Sequence, residues 1–333
     1  MIPEIDVIVV ARNEGETFVK CCASVAREAA AFKAATGLEA AVTYVDSWSD
    51  DGSVDVAKRH GFRIARPPKS YYNCANGRTT GLLLTSAEFV MILDGDMELS
   101  PGWLAAGRAF LKERPAAGGV TGVRDDMRLS GAGYVRIPNY FGIKAKVQGV
   151  GGDVGGAFLF RRDALMSLGG FEPGVVPEED FIVGAQLAAK GRPLYRIDAP
   201  MITHWDTKIS SPAAIVRHLM FSRKALVPGV IFRYALLHAA WWPQLLRFKT
   251  DLLVHAAWLA LLLVPAARLP ATAAYLALIW TQKRGLLRTA AAPLLRTVYL
   301  ANFLAGFLTG YPKLEFGLQH DEKYKAEVRE LNA

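Results

Sequence analysis

Two acidic clusters in this chain have types and spacings that could do chemistry. Asp94-Gly95-Asp96 comes directly after the apolar run at 89–93. In an extended segment residues i and i+2 point to the same side, so both carboxylates can face one ion. A hard divalent cation such as Mg2+ or Mn2+ takes oxygen ligands and commonly bridges to substrate phosphates. Its charge would stabilise a nucleotide diphosphate leaving group as the bond breaks. The plainer reading is a solvated turn that ends the strand. Glu178-Glu179-Asp180 is the second cluster. Acids at a helix N-terminus meet the macrodipole favourably, and the same place suits a general base that takes a proton from a hydroxyl. Composition does not separate these two readings; order along the chain does.

The elements that must position these groups alternate in type. Residues 6–10 read as a strand ending in the polar turn Arg12-Asn13-Glu14-Gly15, and a helix follows over about 16–35 from its apolar spacing. Residues 41–45 are the next strand, closed by the turn 46–52. A helix over 54–60, a short strand at 63–65, a helix over 77–85 and the buried strand at 89–93 complete the first third. Such alternation predicts a mostly parallel sheet covered by helices on both faces, with ligands at the carboxyl ends of its strands. The three polar turns fall at that end, and all are acidic. From Gly118 to Gly156 many glycines loosen the pattern. A strand at 157–161, a helix over 163–168, a helix opening at 177–180, and short strands at 195–197 and 201–203 then lead to His204.

Charge divides the chain. Its 333 residues carry 39 Lys/Arg against 31 Asp/Glu, a net charge of +8. A 52% hydrophobic composition excludes a disordered or collagen-like chain, and the length suggests roughly two domains. A basic balance invites nucleic acid or an anionic membrane. Residues 1–212 hold 24 basic and 25 acidic side chains, while 213–333 hold 15 and 6. Between Ala213 and Lys313, 12 basic residues accompany a single acid, Asp251, in the most apolar part of the chain. Basic residues within apolar runs, beside Trp241-Trp242, Arg247 and Lys249, read as membrane anchoring rather than nucleic-acid binding. The runs at 252–264 and 269–280 are broken by Pro265 and Arg268-Leu269-Pro270. One crossing helix needs about 20 residues, so a tilted hairpin, a re-entrant pair and two shallow helices all stay open. A third run, 297–310, extends back to Leu286 if Arg288 and Arg296 snorkel. An ordinary helical domain with buried faces is the alternative. Arg217, Arg223 and Lys224 read either as a solvated basic face or as holders of phosphates, of a donor or of a lipid-linked acceptor. The N-terminal residues lack the features of a signal peptide, and Cys21, Cys22 and Cys74 offer neither a disulfide framework nor zinc spacing. The catalytic domain is therefore expected in the cytoplasm, at the inner membrane.

Taken in order, these residues resemble the inverting family 2 glycosyltransferases of the GT-A fold. Val7–Glu14 is similar to their first strand and loop, and Tyr44–Ser53 to their second strand and its Asp-rich turn. Gly77-Arg78-Thr79-Thr80-Gly81 stands where they carry Ala-Arg-Asn-x-Gly, and residues 89–96 resemble their strand and Asp-x-Asp. Phe160-Arg161-Arg162, Gly169-Gly170-Phe171-Glu172 and Glu179-Asp180 resemble their acceptor-side segments, so the likeness spans about 5–205. It implies a metal-dependent transfer of one sugar from a nucleotide-diphosphate sugar, UDP favoured, to a lipid-linked or polysaccharide acceptor hydroxyl. It further implies that Ala11, Arg12 and Glu14 line the nucleotide pocket, that Asp46 contacts the base, and that Arg78 lies near the diphosphate or braces the donor loop. Asp94 and Gly95 would sit by the ribose, Asp96 would ligate Mn2+ or Mg2+ with His204 as a second ligand or a structural histidine, Asp180 would be the general base, and Glu179 would position it or the acceptor. Val10, Thr79 and Gln186 depart from the family's usual proline, asparagine and arginine, and the absence of Gln-x-x-Arg-Trp weakens a likeness to processive synthases.

The expected layout is thus a GT-A catalytic domain over 1–212, a basic, apolar, membrane-associated helical region over 213–313 and a polar tail over 314–333. A dinucleotide-binding oxidoreductase is disfavoured, because the cluster Gly149–Gly156 comes late and has valine at the sixth place. A sugar nucleotidyltransferase and a non-catalytic membrane scaffold on a degenerate transferase fold are the remaining alternatives.

Overall fold

The computed structural model describes residues 2–69, 73–131, 133–150, 155–176, 178–207, 217, 220–236, 238, 250–283, 286–312, 324 and 328–331. It divides into two compact units, residues 1–209 with 314–333, and residues 210–313.

In the first unit β1 (Ile5–Ala11), α1 (Glu16–Thr36), β2 (Ala40–Asp46), α2 (Ser53–Arg59), β3 (Arg63–Arg66), α3 (Cys74–Leu84) and β4 (Phe89–Asp94) follow the expected alternation. The strands lie side by side as β3-β2-β1-β4, all parallel. Every residue of β1 is buried, which a strand covered on both faces requires. The register places Ala11 beside Asp46 and Val10 beside Asp94, so the polar turns emerge together at one sheet edge.

One close approach fixes the helix behind this edge. A Cβ on Gly81 would lie 2.3 Å from Ile8 Cγ2, and one on Gly77 would lie 2.6 Å from Val10 Cγ1. Ile8 and Val10 share a strand face, and the two glycines share a helix face, so α3 lies directly on β1. Asn73 caps α3 by accepting from the N–H of Asn76 at 2.8 Å.

The second half of the sheet departs from a mostly parallel expectation. After β5 (Met97–Leu99) and α4 (Trp103–Glu113), the stretch that read as loose contains β6 (Gly119–Ser130), β7 (Gly133–Ile137) and β8 (Val147–Val150). These are followed by β9 (Ala157–Arg161), α5 (Arg162–Met166), α6 (Glu179–Ala189) and β10 (Leu194–Asp206). β9 pairs antiparallel with both β4 and β6, whereas β10 runs parallel to β6. The two short strands expected before His204 form one strand, bent by register shifts between Arg196 and Ile202. Inserted glycines hid the period-2 pattern here, and neighbouring strands supply what local propensity lacks.

The polar tail expected as a separate region belongs to the first unit in its described residues. β11 (Arg329–Glu330) pairs antiparallel with β3. Tyr324 is fully buried, its hydroxyl 2.7 Å from Thr80 Oγ1 and donating to the Asn76 carbonyl at 2.8 Å. Both partners lie on α3, so the tail braces that helix through a buried phenol, a contact that tail composition does not reveal.

The second unit contains α7 (Val227–Leu236), α8 (Thr250–Leu261), α9 (Arg268–Lys283) and α10 (Leu286–Thr309). α7 packs closely on α10 through Phe232 and Phe303, ring centroids 5.3 Å apart. The runs broken by Pro265 are α8 and α9, and the third run is part of α10. Among the described residues no helix is long and apolar enough to cross a membrane. The expected belt at Trp241, Trp242, Arg247 and Lys249 lies outside the described residues.

Tyr324→Phe removes a buried hydroxyl and leaves Thr80 and the Asn76 carbonyl short of a partner. It should lower stability by about 1–3 kcal/mol in chemical denaturation, with an unchanged m-value.

Candidate active site

Arg78 emerges from α3 beneath the edge where the acidic turns converge. Its side chain is 3% exposed and makes three ion pairs: Nη2 to Asp94 Oδ1 at 2.8 Å, Nη1 to Glu179 Oε1 at 2.9 Å, and Nη1 to Asp180 Oδ1 at 2.6 Å. One guanidinium therefore joins the end of β4 to the start of α6, elements far apart in the chain. Arg78, expected near the diphosphate or bracing the donor loop, pairs here with three carboxylates, because its fork of donors matches carboxylate oxygens from several directions.

The rest of the cluster is similarly built. Glu179 Oε1 also accepts from Cys74 Sγ at 3.0 Å. The Gly156 N–H donates to Asp180 Oδ2 at 3.1 Å, and its carbonyl accepts from the Asp94 N–H at 3.2 Å. Gly156 has φ +78°, and a Cβ there would lie 2.2 Å from Asp94 Oδ2, so only glycine fits. Cys74 and Gly156 were not singled out from sequence. Gly156 ends the glycine cluster that was weighed only as a dinucleotide motif, and nothing local marks Cys74.

Three carboxylates around one guanidinium leave negative charge in excess. Burial raises the Glu179 pKa, aided by Asp180 and opposed by Arg78. Burial likewise raises that of Asp94, with Arg78 opposing and Asp96 adding to the rise. Burial disfavours charge on Arg78, yet the surrounding carboxylates hold it firmly protonated. Exposure separates the two acidic neighbours: the Glu179 side chain is 3% exposed and that of Asp180 is 19% exposed.

Two residues along from Asp94, Asp96 meets the end of β10. His204 Nε2 lies 3.4 Å from Asp96 Oδ2, and the Asp96 carbonyl accepts from the Trp205 N–H at 2.9 Å. The other ring nitrogen, Nδ1, is 2.8 Å from Arg124 Nη2 and 3.2 Å from Asp126 Oδ1. Arg124 only donates, so beside it Nδ1 accepts and Nε2 carries the proton. A ring that ligates through Nε2 would carry its proton on Nδ1 and have to turn it from Arg124 to Asp126. Burial opposes charging of the ring, but the Asp96 hydrogen bond prevails and raises the His204 pKa. Arg124 and Asp126 lie on β6, whose strand character the sequence did not show.

The fit to a divalent cation rests on these atoms. Asp96 Oδ1 is buried with no hydrogen-bond partner, which leaves a carboxylate oxygen available to an ion. Among the described residues no group of three His, Cys, Asp or Glu side chains stands ready to hold a metal. Asp96 and His204 form a pair, which suits a cation that completes its shell with phosphate oxygens and water.

The remaining expected residues fall in several places. Ala11 is buried and its carbonyl accepts from the Ser47 N–H at 3.0 Å. Arg12 is exposed and Glu14 half-buried, in a loop tied to the second turn by Gly15 N–H to Asp51 Oδ2 at 3.1 Å and Asp50 N–H to Asn13 Oδ1 at 2.9 Å. Gly95 packs against Ala11, and its N–H donates to the Val10 carbonyl at 3.0 Å. Asp46 departs from expectation. It is 0% exposed, and its carboxylate accepts from Tyr44 Oη, the Ser49 N–H and Arg66 Nε at 2.7–2.9 Å. In this arrangement it braces the turn, since a buried carboxylate must be satisfied by donors. Arg217 and Arg223 are exposed in the second unit, and the Arg223 guanidinium lies over the Tyr311 ring at 5.5 Å.

A parallel sheet edge with clustered carboxylates, followed by a mixed sheet half, is the architecture of nucleotide-sugar transferases. Residues 6–169 match the profile of glycosyl transferase family 2, and residues 129–311, more than half of the chain, match that of glycosyl transferase family 21. The chain belongs to the glycosyltransferases of the family 2 and family 21 type, which sets aside the nucleotidyltransferase and scaffold alternatives. No curated protein matches it in sequence. The mannosyltransferase PcManGT from Pyrobaculum calidifontis, solved in complex with GDP-Man and Mn2+, is similar over 94% of this chain and 88% of its own, with a TM-score of 0.59 and 18% identity. GalNAc-T7, solved with UDP, GalNAc and Mn2+, is similar over 70% of this chain and 52% of its own, with a TM-score of 0.51 and 16% identity. At these identities the likeness speaks to fold, and the fold is of the GT-A type.

The raised Glu179 pKa has a stability consequence. A carboxyl whose folded pKa lies above its unfolded value of about 4.5 stabilises the fold at low pH, and that contribution is lost as pH rises through the folded pKa. Glu179→Gln should therefore match the wild type near pH 4 and exceed it by about 1 kcal/mol or more near pH 8, measured by denaturation across pH.

Proposed function

We propose that this glycosyltransferase moves one sugar from a nucleotide-diphosphate sugar to an acceptor hydroxyl, with inversion at the anomeric carbon. The observation that carries the reading is the gathering of Asp94, Glu179 and Asp180 by the buried Arg78, beside the Asp96–His204 pair. Asp180 is the base. Of the two acidic neighbours it alone has access to an acceptor, and its carboxylate is oriented by Arg78 and the Gly156 N–H. It takes the proton from the acceptor hydroxyl as that oxygen attacks the carbon opposite the departing diphosphate. Glu179, sealed in the cluster, positions Arg78 and through it Asp180.

Asp96 and His204 would hold a divalent cation, Mn2+ or Mg2+. When bound, the cation supplies positive charge to the leaving diphosphate. Mn2+ in the two solved neighbours supports this. Those neighbours carry GDP-Man in one case and UDP in the other, and Asp46, which pointed to uracil, is buried. The donor's base is therefore left to Ala11, Arg12, Glu14 and their loop. The acceptor in this reading is lipid-linked or a polysaccharide at the cytoplasmic face of the inner membrane. The basic, apolar second unit supports that location, and Arg217 and Arg223 are suited to lipid phosphates.

Asp180→Asn should lower kcat by about a thousandfold or more while donor affinity stays within about threefold; turnover near the wild-type rate in that variant would sink the assignment. Asp96→Ala should abolish the gain in donor affinity on adding Mn2+, read by calorimetry with and without the ion. An unchanged gain would remove Asp96 from the metal site.

A further inference from the structure

We infer that the α8–α9 hairpin of the second unit is a wedge whose tip inserts into one leaflet of an anionic bilayer. This deepens, and rests on, the membrane reading of the preceding section.

The two helices are locked some way back from their junction. The rings of Trp258 and Tyr275 stack with centroids 4.5 Å apart, Trp258 Nε1 donates to Thr272 Oγ1 at 3.2 Å, and His255 Nδ1 lies 2.6 Å from the Tyr275 hydroxyl. Beyond that lock the chain carries exposed apolar side chains. Residues 261–270 are exposed except for Leu262 and Ala267, which are half-buried. Leu263 is 80% and Leu269 84% exposed, with Leu261 and Val264 beside them. A contiguous apolar surface of this kind marks an interaction site.

The backbone of the tip suits a medium without water. The N–H groups of Leu262, Leu263, Val264 and Ala267 donate to the carbonyls of Trp258, Ala260, Leu261 and Val264 at 2.9–3.1 Å. Pro265 and Pro270 have no N–H to satisfy. A hydrocarbon environment demands this internal satisfaction, and water does not. Charge completes the match. Arg268 is the only charged residue between Leu252 and Gln282, and no acid follows Asp251 until Glu315. Arg268 Nε donates to the Leu262 carbonyl at 2.8 Å, and the guanidinium stands beside the apolar tip at the level of headgroup phosphates. With 12 and 16 residues, the helices reach about 18 and 24 Å, short of the roughly 30 Å hydrocarbon core. The hairpin therefore enters one leaflet and does not cross.

The test uses the full chain and flotation with vesicles of phosphatidylcholine, alone or with about one-third phosphatidylglycerol. The double variant Leu263→Asp/Leu269→Asp should bind the mixed vesicles at least about tenfold more weakly, with unchanged thermal unfolding, since both side chains are exposed. Val135→Asp, at an exposed site of the first unit, should bind like the wild type. Arg268→Gln should narrow the preference for anionic over neutral vesicles. Equal binding by the wild type and the double variant overturns the wedge and leaves the membrane reading intact. No binding by the wild type overturns both. Equal loss in Val135→Asp overturns the assignment to the tip. A lipid-free dimer that the double variant dissociates, with vesicle binding unaffected, assigns the tip to a second copy and overturns the proposal.

Discussion

The active region depends on one buried cation. Arg78 has its charge taken from water and returned as ion pairs with Asp94, Glu179 and Asp180. A buried charge is tolerable only with close, well-directed partners, and removing the one cation from among three carboxylates costs several kcal/mol. Each element that brings a partner is thereby constrained. β4 must end at Asp94, α6 must begin at Glu179, and Gly156 must let its backbone pass within contact of Asp94. The two glycines that seat α3 on β1 set where the guanidinium stands, and Tyr324 braces the same helix through Thr80 and Asn76.

The constraint also sorts four acids by role. Glu179 is sealed against Arg78, and burial disfavours its charge. Asp94 and Asp180 share the same cation yet keep a face toward solvent, their side chains 30% and 19% exposed. Asp96 points away from the cluster to His204 and keeps one oxygen without a protein partner. Acids of like type, close in space, are differentiated by exposure and by what donates to them.

The second unit solves a different physical problem. Among the described residues none of its helices is both long and apolar enough to span a bilayer, and the polar side chains His255, Tyr275 and Thr297 bond to one another inside it. The α8–α9 tip, with Leu263 and Leu269, is among the parts that this internal packing leaves uncovered.

Much of this was legible in the sequence because it is local. A five-residue apolar run before Asp94, a polar turn after each early strand and acids opening a helix follow from side-chain period and backbone chemistry alone. They yielded the parallel half of the sheet, the carboxylates of the site and the division of charge near residue 212. The β6–β10 half was not legible, because glycines interrupt its alternation and its strands are held by partners distant in sequence. Nor was Asp46's structural role: an aspartate in a turn looks the same whether it faces a ligand or is satisfied by Tyr44, Ser49 and Arg66. The sequence by itself determined which groups could ionise and roughly which strand ends carry them. Only the tertiary structure decided which carboxylates share Arg78, which of them keep a face toward solvent and which meets His204. Those outcomes depend on desolvation and on distances between residues far apart in the chain, and neither is written in local spacing.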